Sequence, residues 1–264
     1  MNQTMADVCQ WCRGSNRSVC AAVPLHFHEE IRRISHIRTF EAGTTIASEG
    51  HEALFVGTVL RGVLRLVKTL ADGRQQIVGL LFASDMFGRV FSDEMPFAIE
   101  AATKVELCMA PRRRFETLLS RHHELEHEIL IRTLDELDAG RNWMVVLGCQ
   151  NMLERVAAFL AILTIREHVL EDAAEGSERA AIVEVPLSRA DMAAYLGTTL
   201  ETVSRSIHRI ADHGAIEIID PRQFLIKDWP ALLRLSGRSD LTSHQFLGRF
   251  SGHDDNMRTL SEAC

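Results

Sequence analysis

Between Thr39 and Met109 the apolar residues fall in short, β-branched runs rather than at helical spacing. "FVGTVL" and "VLRLVKTL" flank Arg61-Gly62, which reads as a hairpin signal, and "QQIVGLLF" returns after a further one, Ala71-Asp72-Gly73. Glycines at positions 43, 50, 57, 62, 73, 79 and 88 punctuate the stretch. Short strands interrupted in this way predict a compact barrel or jelly roll.

The pattern changes after Pro111. Leu130, Leu134 and Leu137 step by four and three, with Met144 further along and Ile131 and Val145 on a neighbouring track. This predicts a helix from about Arg121 to Leu147, about 40 Å long. Its apolar stripe needs a cover: the chain's own barrel, or the same helix of a second copy. Asp135, Glu136 and Asp138 then form a solvated acidic face or repel across such a pair. A second helix is predicted over "QNMLERVAAFLAILTIREHVL", followed by a polar loop, "EDAAEGSERAA". The tail after about Ser236 is polar and has few apolar anchors, so it is expected to be mostly disordered.

"VPLSRADMAAYLGTTLETVSRSIHRIADHGAIEI" carries the strongest local pattern. Ser188 is a good N-cap, with Asp191 three residues on. Met192, Ala193 and Leu196 give the first helix a buried side, and Gly197 suits the left-handed turn that ends it. Thr198 or Thr199 caps a second helix, whose Leu200, Val203, Ile207 and Ile210 point inward. Its outward face carries Glu201, Ser204, Arg205 and His208. Arg can donate to guanine O6 and N7, and Glu can accept from cytosine N4. Glu201 and Arg205 are spaced to brace each other. Two helices about a glycine turn predict DNA recognition, with Thr199 at the entry and "AIEIIDPRQFLIKD" as a hairpin wing.

Composition adds limits. The 264 residues carry a net charge of −7, with 46% hydrophobic and 25% charged residues. That excludes a generally basic nucleic-acid coat but not a local DNA-reading surface. Pro186 to Trp229 holds five basic and six acidic residues, so affinity must come from local geometry and symmetry. No apolar run reaches the ~18 residues of a membrane span, and no signal peptide is evident, so the expected location is the cytoplasm. Structural disulfides are rare there.

Three of six cysteines, Cys9, Cys12 and Cys20, crowd the start of the chain. With a fourth thiol they suit tetrahedral zinc or other metal chemistry, while a redox disulfide fits a reducing compartment less well. Cys149, beside the long helix, reads as packing, and Cys264 as a poor ligand. His26, His28, His36 and His51 raise a cupin-type metalloenzyme, but no tight His-x-His plus Glu set occurs within the roll. The chain is read as a non-enzyme.

A β-roll, a long helix and a winged helix-turn-helix, in that order, resemble the superfamily of the cyclic AMP receptor protein and the fumarate and nitrate reduction regulator. The resemblance covers about residues 9 to 232, and "LGTTLETVSR" is its most specific piece. It implies an α+β architecture. Residues 1–22 form a cysteine segment and 23–120 a β-roll sensor domain (a double-stranded β-helix or jelly roll like a cyclic-nucleotide-binding domain). Residues 121–148 form a dimerisation helix, 149–232 a winged helix-turn-helix, and 233–264 a tail. The oxygen-responsive branch resembles E-x-x-S-R, carried here by Glu201, Ser204 and Arg205. It implies TTGAT half-sites in an inverted repeat, a homodimer paired through Leu130, Leu134, Leu137, Asp138 and Met144, and contact with RNA polymerase. The spacing Cys9-x2-Cys12-x7-Cys20 resembles the alphaproteobacterial form of that branch, and Cys108 matches the fourth ligand. The resemblance thus implies a [4Fe–4S] cluster on Cys9, Cys12, Cys20 and Cys108 and dimerisation gated by oxygen. A cluster-free regulator of the same fold, like FixK, and a zinc-clipped protein are the alternatives. Cyclic nucleotide is not expected. Arg89 follows Gly88 where that branch has Glu, and Phe97-Ala98 stand where it has Arg-Ser.

Overall fold

The structure is a computed structural model that describes residues 19–22, 25–170 and 182–238. Two helices, α1 (Val19–Ala22) and α2 (Leu25–Ile34), precede the strands. Those are β1 (His36–Phe40), β2 (Thr45–Ala47), β3 (Phe55–Arg61), β4 (Leu64–Thr69), β5 (Gln75–Leu81), β6 (Met86–Gly88), β7 (Ala98–Ala101) and β8 (Val105–Pro111). They form two antiparallel sheets, in the orders β1-β8-β3-β6 and β2-β7-β4-β5. Both sheets feed one core, in which Val59, Leu64, Ile99, Val105 and Leu107 are fully buried or nearly so. Alternation along the strands thus becomes the inward faces of a two-layered roll.

Arg61-Gly62 is not a hairpin, although the flanking runs suggest one. β3 and β4 belong to different sheets, and the chain turns a corner between them. Gly62 has φ +81°, and a Cβ there would stand 2.2 Å from the Lys104 carbonyl oxygen. Glycine is required on both counts. The β4–β5 hairpin forms as expected, closed by Leu70 N–H donating to Arg74 O at 2.8 Å.

Two helices follow, α3 (Arg112–Leu119) and α4 (His123–Cys149). Leu125 and Val146, near the two ends, are the buried residues of α4. Its middle presents Leu130, Leu134, Leu137 and Met144 to solvent at 54, 51, 46 and 71% exposure. The C-terminal unit consists of α5 (Met152–Leu170), β9 (Ile182–Glu184), α6 (Arg189–Leu196), α7 (Leu200–Asp212), β10 (Ile216–Ile218), β11 (Gln223–Ile226) and α8 (Trp229–Leu235). Phe159, Leu160, Leu196, Ile207, Ile210, Phe224 and Leu232 are buried in its core. Leu80, Phe82 and Ala102 of the roll pack against that core. The expected loop over 171–181 and most of the expected tail lie outside the described residues. No helix among the described residues is long and apolar enough to cross a membrane.

Candidate nucleic-acid interface

The two-helix unit is built by its caps. Ser188 Oγ accepts the Asp191 N–H at 3.1 Å and donates to Asp191 Oδ2 at 2.7 Å. Gly197, at φ +67°, ends α6, and the Thr198 N–H reaches back to Ala193 O at 3.0 Å. Thr199 caps α7, its hydroxyl accepting the Thr202 N–H at 3.3 Å. Val203, Ser206, Ile207 and Ile210 are buried on the inner side of α7. Leu200, expected inward, is 45% exposed. It occupies the first helical position, and the buried stripe starts at Val203.

Thr199 at the cap and Glu201, Arg205 and His208 on α7 are exposed, and Ser204 is half-buried. These five are the residues that the sequence marks for DNA, and the helix brings them to its solvent side. The Glu201 carboxyl is held below the usual carboxylate range by its own backbone N–H, then by the Thr199 hydroxyl, with a smaller part from Arg205. The expected brace between Glu201 and Arg205 is therefore an attraction across space, secondary to capping of the helix start.

Sequence reasoning missed Arg189. Its guanidinium lies 5.2 Å from the Phe224 ring centroid, and burial lowers its pKa. Arg189, Ser204, Ile207, His208, Ile218, Asp220 and Pro221 line one cleft, which joins both helices to the wing. The signal was a cation directly after a helix cap. The wing is an antiparallel pair with Ile216 opposite Ile226, and β9 extends the sheet on the other side of β11. Asp220 Oδ1 closes its turn by accepting the Arg222 and Gln223 N–H groups at 2.6 and 2.8 Å.

The excess of acidic residues in this unit is mostly engaged. Asp191 pairs with Arg65, Glu217 with Lys227 at 3.5 Å, Asp220 closes the wing and Asp228 caps α8. That leaves Arg205, Arg209 and His208 exposed on α7 beside Glu201 and Asp212. A count of charges along the segment concealed this sorting.

Asp138, marked for the pairing face of α4, is exposed and accepts a 3.1 Å bond from Arg141 in its own chain. Of the acidic trio, Asp138 is therefore paired within its own chain. Cys149 is exposed, so it does not pack as expected. Cys264 lies outside the described residues.

The [4Fe–4S] assignment needs correction, and the iron–sulfur, metal-binding and oxygen-gating readings fall with it. Cys20 and Cys108 reach one small apolar patch with Leu60 and Ile37. Cys9 and Cys12 lie outside the described residues. Among the described residues no group of three or more His, Cys, Asp or Glu is placed to hold a metal ion. Among the described residues the two thiols of this patch are by themselves too few for a cluster or a tetrahedral zinc. In the nucleotide cassette region, Phe97 sits under the Lys68 ammonium, 5.9 Å from the ring centroid.

Residues 154–235 match the model of a Crp-like helix-turn-helix domain, and residues 37–122 that of a cyclic nucleotide-binding domain. A probable transcriptional activator from Rhizobium leguminosarum bv. viciae is 38% identical over 228 residues, which is 86% of this chain and 92% of the relative. The transcriptional activator protein FnrL of Cereibacter sphaeroides is 34% identical over 234 residues, 89% of this chain and 94% of its own. Among solved structures, FixK2 from Bradyrhizobium japonicum superposes with a TM-score of 0.69 at 27% identity, covering 76% of this chain and 97% of FixK2.

Proposed function

Because the chain belongs to the superfamily of the cyclic AMP receptor protein and the fumarate and nitrate reduction regulator, on its FNR, FixK and FnrL side, we propose that it is a homodimeric, FixK-like transcriptional regulator that reads an inverted DNA repeat without a metal cluster. DNA binding itself follows from the helix-turn-helix; the dimer, the base contacts and the freedom from a cluster are the proposal. The observation that carries it is the row of Thr199, Glu201, Ser204, Arg205 and His208 on the solvent side of a capped, well-anchored α7.

On this reading α7 enters the major groove. Arg205 donates to a guanine through O6 and N7, Glu201 accepts from a cytosine amine, and Ser204 offers a hydroxyl to a neighbouring base. Thr199 and His208 flank these contacts toward the backbone. Residues 23–120 act as the sensor roll, 121–148 as the pairing helix and 149–232 as the DNA-reading unit. Leu130, Leu134, Leu137 and Met144 supply the pairing stripe, since their exposure leaves an apolar seam uncovered in one chain. A twofold axis along paired α4 helices sets two recognition helices about one DNA turn apart. The relatives named as transcriptional activators support RNA polymerase as a further partner.

The test is a fluorescence anisotropy titration of chelator-treated protein against a duplex carrying two inverted TTGAT half-sites. Saturation at two chains per duplex, with loss of preference when the half-sites are scrambled, is expected. Equal affinity for both duplexes would overturn the reading, and so would a requirement for added metal.

A further inference from the structure

Part of sheet β2-β7-β4-β5 meets the DNA-reading unit of the same chain, through Leu80 and Gln76 of β5 and Arg65 of β4. Arg65 on β4 stands opposite Glu100 on β7 and donates to its Oε2 through Nε and a terminal nitrogen, at 2.9 and 2.8 Å. Its other terminal nitrogen donates to Asp191 Oδ1 at the start of α6. The second Asp191 oxygen holds the Ser188 hydroxyl. One guanidinium therefore joins a strand pair of the roll to the cap of the first helix in the two-helix unit. All three side chains are mostly shielded from water, at 23, 17 and 28% exposure. An ion pair so shielded is screened less than an open surface pair.

Other contacts support the same joint. Gln76 Nε2 donates to Tyr195 O at 3.4 Å. Trp143 of α4 stacks on Tyr195 of α6 at 4.5 Å, and Phe159 of α5 meets Tyr195 edge-on. Arg166 of α5 donates to Asp85 Oδ2 at 2.9 Å and lies 4.5 Å from the Phe82 ring centroid. The joint thus ties α6 to the roll and to α4, whose stripe defines the pairing axis. Since α7 follows α6 through only Gly197, Thr198 and Thr199, the angle of α6 carries over to α7.

We infer that Arg65 is a positioning residue for DNA recognition: by holding Asp191 it sets the recognition helix relative to the pairing axis, and so sets which half-site spacing the dimer accepts. Arg65 touches no DNA in this scheme. Arginine is needed because one planar fork serves two carboxylates, which a lysine ammonium on a single stem does poorly. The inference rests on the dimeric DNA-binding reading given above.

The experiment measures affinities of the full chain for inverted repeats whose spacer is optimal, one base pair shorter or one longer, and for a duplex with one half-site. Wild type should prefer one spacer sharply. Arg65→Ala and Asp191→Asn should each flatten the preference by about fivefold, the scale of a partly shielded ion pair. Affinity for the single half-site should stay unchanged. The cap of α6 is Ser188, which needs only the backbone N–H of residue 191, and an asparagine oxygen there can still accept the Ser188 hydroxyl, so that variant remains informative if Arg65→Ala folds poorly. The double variant should be no flatter than either single one, because both remove the same link, and Arg65→Lys should restore part of the preference. An unchanged spacer profile in either folded variant overturns the inference. A uniform loss across all duplexes, half-site included, also overturns it, since that is damage to the fold. If wild type shows no preference for any inverted repeat, the DNA-reading proposal itself fails and takes this one with it.

Discussion

Leu134→Ser tests the pairing of α4 through a side chain that contributes little within one chain. Leu134 is 51% exposed and lies between Leu130 and Leu137, which are similarly exposed. Moving a leucine fully out of water contributes about 1.5–3 kcal/mol, so covering the exposed half contributes about 1 kcal/mol. The twofold axis presents the residue twice, and the dimer should lose about 2 kcal/mol, or about 30-fold in its dissociation constant. The helix should be unaffected, because serine replaces a side chain whose outer half meets solvent. Sedimentation velocity over a dilution series reads the constant, and far-ultraviolet circular dichroism checks the helix. Affinity for the inverted repeat should fall in step below the new dissociation constant, while half-site affinity holds. An unchanged sedimentation profile with an intact helix would mean that α4 does not pair through this stripe.

Other expectations follow from single features. Arg205→Ala should weaken specific binding by about 1–3 kcal/mol and relax preference at one base position, read by titration against a set of singly substituted half-sites. Two glycine replacements should separate backbone strain from steric clash. Gly197→Ala meets open space at φ +67° and should cost about 1–2 kcal/mol. Gly62→Ala adds a 2.2 Å approach to a carbonyl oxygen and should cost clearly more in chemical denaturation. The lowered Glu201 pKa means that its contribution is present at neutral pH and lost as pH falls through the lowered value. Glu201→Gln should therefore narrow the difference in melting temperature between neutral and acidic solution, and an equal difference in both proteins would refute this.

What the sequence disclosed is what short-range chemistry decides. Ser188, Gly197 and Thr199 act where their side chains or backbone freedom predict, and the β4–β5 hairpin closes at its Asp-Gly turn. Arg61-Gly62 misled because a corner between sheets and a hairpin need the same residue, and sheet membership is decided by distant partners such as Lys104 and Val105. The link from Arg65 to Asp191 spans 126 positions and leaves no local periodicity to read. Cysteine spacing marked three thiols near the start of the chain, of which Cys20 reaches an apolar patch together with Cys108. It did not establish a ligand set, because convergence of four sulfurs depends on tertiary placement that spacing does not contain. Charge counting pointed to a local surface but could not tell which acids are engaged: Asp191, Asp220 and Asp228 serve caps and links and do not repel DNA as free ones do.

Hydroxyl-radical footprinting on an inverted repeat tests the account most directly, since it reads symmetry, groove and face of the duplex at once. Two protected patches, about one helical turn apart on the same face, and both lost in Arg205→Ala, are the predicted result. A single protected patch, or protection that is indifferent to Arg205, would contradict a dimer that reads DNA through α7.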